Sequence, residues 1–197
     1  METCSIQELI YFDVNLPTAS FGKQLLVALL SVIVNNIIFN LVYKFMPGSD
    51  RIQEDSDQEY SIIESKAVSP IAFGISEIVN GGLYAPIVEE LFFRFLLFKI
   101  VLVKIYGFQP NSANFLQAIL FGVMHMTNVI TSAQSVNRTL LQTLSASIGG
   151  FLSGWTYVYT NSLLTPIMAH MINNLIATSS EVIEYSHFYD GIPNKQL

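Results

Sequence analysis

Long stretches of this chain contain no aspartate, glutamate, lysine or arginine, among them Gln24 to Tyr43, flanked by Lys23 and Lys44, and Thr139 to Ser180. A helix of about 20 apolar residues crosses a hydrocarbon layer of roughly 30 Å. The first stretch therefore has room for one span and the second for two, with Asn161, Ser162 and Pro166 marking the turn between them. Further apolar segments at about 67–84, 86–106 and 112–130 bring the expected count to about six hydrophobic helices, the first of these three interrupted by Glu77, Gly81 and Gly82. Only 12% of the residues are charged, against about 25% in an ordinary soluble domain. That leaves too little polar surface to coat a globule in water. The expected fold is all-α: a polytopic membrane helical bundle, integral and multi-pass, in a cell membrane or, in a eukaryote, the endoplasmic reticulum.

Composition excludes several classes of function. The formal charge is −6 with nine lysines and arginines, so no basic patch is available to neutralise phosphates and no nucleic-acid partner is expected. Cys4 is the single cysteine, which rules out an internal disulfide and any cysteine-rich zinc site. The first 20 residues hold no lysine or arginine and are broken by Glu2, Glu8 and Asp13, unlike a secretory signal peptide. The chain divides into an N-terminal segment (1–20), a first transmembrane helix (21–46), an acidic polar loop (47–66), a core (67–184) and a tail (185–197). The loop gathers Asp50, Glu54, Asp55, Asp57, Glu59 and Glu64. With six alternating helices, Lys44, Arg51, Lys66, Lys99 and Lys104 would share one side and make it the cytoplasmic one.

Ionisable side chains inside spanning helices cost a few kcal/mol each on insertion scales and usually mark function. Here they fall in three places. In Pro86-Ile-Val-Glu89-Glu90-Leu-Phe-Phe-Arg94, the proline suits a first helical turn. Glu90 and Arg94, four apart, share a face and can pair. Glu89 points about 100° away, with no partner on its own helix. A carboxylate left free in this way can accept a proton. His125 lies in the uncharged run from Ile105 to Asn137, where it could equally be a packing residue. His170 and Asn174, again four apart, stack an imidazole and a carboxamide on one face. Together the three segments supply a base, a second base or ligand, and a pair of groups able to steady an oxyanion.

These segments, EELFFR at Glu89–Arg94, FGVMH at Phe121–His125 and HMINN at His170–Asn174, resemble the ordered motifs of the CAAX-protease and bacteriocin-processing family of intramembrane glutamate proteases. The similarity covers about residues 67 to 180, including the small residues Gly149, Gly150 and Gly154 ahead of the third motif. The resemblance implies a hydrolase that cleaves a peptide bond without a metal or other cofactor, in CAAX-type or peptide-precursor processing. It makes Glu89 the base that activates water, with His125 helping to hold or deprotonate that water. His170 and Asn174 would stabilise the oxyanion, and Glu90 and Arg94 would support the site. The implied partners are membrane lipids and a peptide or protein substrate, prenylated or not. Family members often carry Gly after the motif arginine, where this chain has Phe95.

Other chemistries fit less well. The nearest approach to a Gly-x-Ser-Gly segment is Gly74-Ile-Ser76-Glu77, no aspartate occurs between residues 58 and 189, and there is no HExxH. A Glu89/His125/His170 zinc set would make a metal-dependent hydrolase. A catalytically silent scaffold or bacteriocin self-immunity protein of the same fold could retain the motifs. A transporter using Glu77 and Glu89 as proton relays would be expected to have duplicated halves.

Overall fold

The computed structural model describes residues 11–13, 15–45, 69–131 and 135–190. Cys4 and the acidic segment at 47–66 lie outside them. Among the described residues every regular element is a helix, with no strand. Helix α1 is Phe21–Phe45. It and the run Pro110–Ile130 are long and apolar enough to cross a membrane.

From 70 to 105 the backbone stays helical without a loop. It begins as α2, Pro70–Ser76, where Ser69 Oγ accepts from Ala72 N at 3.2 Å. It widens at Glu77–Tyr84, narrows as α3, Ala85–Glu90, and widens again over Leu91–Ile105. Pro86 sits in the first turn of α3, and Tyr84 and Ala85 before it keep right-handed helical angles. The expected second and third helices are thus joined end to end. Gly81 and Gly82 lie in the first wide segment, and a methyl on Gly82 would stand 2.7 Å from Leu175 Cδ2. They mark close packing rather than a break.

After a turn, Pro110–Met124 forms α4, followed by a 3₁₀ turn at His125–Thr127 and the short α5, Asn128–Thr131. Helix α6 is Val136–Thr160, with Ser135 capping its start. It ends on Asn161, which adopts the left-handed conformation (φ 49°, ψ 39°) that asparagine tolerates better than most residues. The last helix, α7, covers Leu164–Asp190 and so continues past the start of the expected tail.

The most extensive helix contact is α4 against α6, while α1 lies against α6 and α7. Small residues let backbones approach where lipid supplies no hydrophobic drive. A methyl on Gly150 would meet the Phe121 ring at 3.0 Å and Ala118 Cα at 3.3 Å, and one on Gly154 would overlap the Asn114 carboxamide oxygen. Gly154→Ala raises helix propensity, worth about 0.5–1 kcal/mol, but overpacks a filled contact at about 1–3 kcal/mol. The clash should win. The variant is expected to unfold several degrees below wild type in detergent, and an equal or higher midpoint would refute this packing.

The described residues of the N-terminal segment are tied to the bundle by Asn161. Its Oδ1 accepts from Asp13 N at 2.7 Å, and its Nδ2 donates to the carbonyls of Asp13 and Leu16 at 2.8 Å each. Phe12 packs on Phe98 and Tyr157, and the buried Lys99 ammonium donates to the Tyr11 carbonyl. Lys99 is therefore an interior group and drops out of the interfacial charge count.

Candidate active site

The site grows outward from an ion pair. Arg94 Nε and Glu90 Oε2 are 2.9 Å apart, and both side chains have 0% exposure. The helical spacing anticipates this pair, but burial on this scale requires more partners. Arg94 Nη1 donates to Gln117 Oε1 at 2.9 Å, and its guanidinium lies 4.6 Å from the Phe121 ring centroid. Gln117 Nε2 donates to Asn114 Oδ1 at 2.7 Å and to the Gly150 carbonyl at 3.0 Å, while Asn114 Nδ2 donates to the Phe151 carbonyl at 3.0 Å. The Glu90 oxygen facing Arg94 lacks hydrogen-bond alignment, so the pair holds by charge and proximity.

The second Glu90 oxygen turns to another helix. His170 Nδ1 donates to Glu90 Oε1 at 2.9 Å, which leaves Nε2 3.8 Å from Glu89 Oε2. A carboxylate accepts only, so this bond fixes the proton of neutral His170 on Nδ1. His125, at the C-cap of α4, is held in the same way: its Nδ1 donates to the Phe121 carbonyl at 2.8 Å. Both imidazoles thus keep Nε2 as the acceptor. The two rings meet Phe121 edge-on, with centroids 4.9 Å (His125) and 5.8 Å (His170) away. Asn174 Nδ2 donates to the Gly81 carbonyl at 2.9 Å, beside the wide turn in which Ala85 N–H bonds back five residues to Asn80. One N–H and the carbonyl of the Asn174 amide remain for other partners.

A cavity of about 610 Å³ opens on this cluster, with His125, His170, Asn174, Arg94 and Phe121 in its wall. Helix α1 closes another side with Asn35, Asn36 and Asn40, and Asn36 Nδ2 donates to Asn173 Oδ1 at 2.8 Å. Glu89 is 24% exposed and does not itself line the cavity; its contact in the site is the His170 ring, which is 13% exposed. Among the described residues, no group of three or more His, Cys, Asp or Glu side chains is arranged to hold a metal ion, so Glu89, His125 and His170 do not assemble as a zinc set.

Sequence reasoning missed Asn114 and Gln117. A signal was present: Asn114, Gln117, Phe121 and His125 recur every three or four residues along α4 and so share a face. Phe95, in place of glycine, packs against the core around Phe98 and Tyr157 with the Lys99 ammonium 5.6 Å from its ring.

A family model described as "Type II CAAX prenyl endopeptidase Rce1-like" matches residues 69–176, more than half of the chain and every residue of the cluster. The chain belongs to this family. No curated protein and no solved structure matches it. The Rce1-like match agrees with the resemblance carried by the three motif segments. It leaves out α1, so the Asn35, Asn36 and Asn40 wall lies outside the matched region.

Proposed function

We propose that this Rce1-like chain is a multi-pass intramembrane endopeptidase of the glutamate type, acting on a peptide or protein with CAAX-type processing as its first candidate reaction. The observation that carries the proposal is the double anchoring of His170, with Nδ1 on Glu90 and Nε2 facing Glu89. In this reading Glu89 takes a proton from water, and the hydroxide attacks the scissile carbonyl. With Nδ1 committed to Glu90, His170 can donate to an oxyanion only as imidazolium. The proton taken by Glu89 is positioned to supply that charge across the 3.8 Å gap. The free N–H of Asn174 is the second oxyanion donor, and His125 Nε2 holds the water. The proton then leaves with the amine of the departing fragment.

A scaffold reading draws support from one feature, the absence of Glu89 from the cavity wall. Both readings meet in one experiment. The full chain, reconstituted in vesicles, is given a quenched-fluorescent peptide with and without a prenyl group on its cysteine. Cleavage is expected, faster with the prenylated peptide and unaffected by chelators, and reduced about a hundredfold or more by His170→Ala. Activity lost to a chelator and restored by zinc would overturn the metal-free mechanism. No cleavage of either peptide would favour the scaffold.

A further inference from the structure

Between α1 and α6, sharing only Ser31 with the cavity of the site, runs a second groove of about 300 Å³. Val27, Leu30 and Val34 form one wall, and Leu152, Trp155 and Tyr159 the other. From Val27 to Val34 the groove is about 10 Å long at 1.5 Å per residue, enough for part of an acyl chain. Its only hydroxyls are Ser31, Thr156 and Tyr159, and that of Thr156 is already bound to the Ser153 carbonyl.

One end is built differently. Trp155 and Tyr159 stack at 5.0 Å and 6°, and the Lys23 ammonium lies 4.6 Å from the Tyr159 centroid. Stacked aromatics beside a lysine are the usual furniture of a membrane interface. Lys23 occupies the first turn of α1, where a cation opposes the helix dipole. Its place there does nothing for the helix. Among the described residues no carboxylate pairs with it, and a side chain at neighbouring Gly22 would meet open space. With Lys23 already over Tyr159, a quaternary ammonium headgroup would meet like charge rather than an open aromatic face. A phosphate would meet an ammonium and a phenol.

We propose that this groove is a binding site for an anionic phospholipid, its acyl chain lying between α1 and α6 and its phosphate seated on Lys23 and the Tyr159 hydroxyl. The inference rests on the membrane placement of α1 and not on proteolysis, so an inactive protein would leave it standing.

Trp155 is the only tryptophan in the chain, and its fluorescence therefore reports this groove alone. The full chain is reconstituted in phosphatidylcholine vesicles with increasing fractions of dibrominated phosphatidylglycerol, and separately of dibrominated phosphatidylcholine. Brominated phosphatidylglycerol is expected to bind about fivefold more tightly, the effect of one lysine at a membrane surface. The preference should vanish in Lys23→Gln and return in Lys23→Arg, while quenching by brominated phosphatidylcholine stays at the wild-type level and reports an intact groove. Raising salt from about 0.1 to about 1 M shortens the screening length from roughly 10 to 3 Å and should erase the wild-type preference, a test that needs no variant. Equal quenching by the two lipids in wild type, or a preference surviving either high salt or Lys23→Gln, would overturn the proposal.

Discussion

Glu89→Gln is expected to lower the turnover number about a hundred- to ten-thousand-fold, the usual contribution of a positioned base, while leaving the folded protein intact. The side chain is 24% exposed, and its partner in the site is one imidazole 3.8 Å away, so an isosteric amide removes little packing. What it removes is the capacity to accept a proton and the charge facing His170 Nε2. The loss should fall on kcat, with KM nearly unchanged, because Glu89 does not line the cavity that would receive the peptide. Steady-state cleavage beside a melting curve in the same detergent separates the two effects. A variant that melts like wild type and cleaves like wild type would remove Glu89 from the chemistry and shift attention to Glu90 and His170.

The second large effect concerns stability. Glu90→Ala strands a fully buried guanidinium, and breaking a buried ion pair by deleting one partner costs about 3–5 kcal/mol. A poor yield of folded protein and a much lower melting point are expected, with Arg94→Ala comparably harmful because it strands the carboxylate. The double variant Glu90→Met with Arg94→Met should recover part of that loss, since apolar residues of similar volume often replace buried pairs without penalty, while Gln117 Oε1 loses its donor. It should nevertheless stay inactive, because His170 Nδ1 would have lost its acceptor. A stable and active double variant would reduce the pair to packing.

The features legible in the sequence were those governed by local spacing. The uncharged run of α1, the Glu90–Arg94 pair and the place of Pro86 follow from helical periodicity and chain stereochemistry. The contact that gives Glu90 its second task joins residues 80 positions apart, and no periodicity reaches that far. Gly81 and Gly82 were misread for a related reason. An isolated helix pays for glycine, but a packed one can use it to admit Leu175. Asn161 was legible as a turn but not as the clasp holding Asp13 and Leu16, since a left-handed residue announces its backbone and not the destination of its side chain.

The ribosome delivers these parts in a fixed order. The buried Glu90–Arg94 pair emerges before α7 and travels together on one helix, so it can enter lipid with its charges already matched. His170 and Asn174 belong to α7, and a nascent chain halted between Arg94 and His170 holds the carboxylates without the imidazole that links them. Between those two points the chain carries the proposed base without the ring proposed to share its proton.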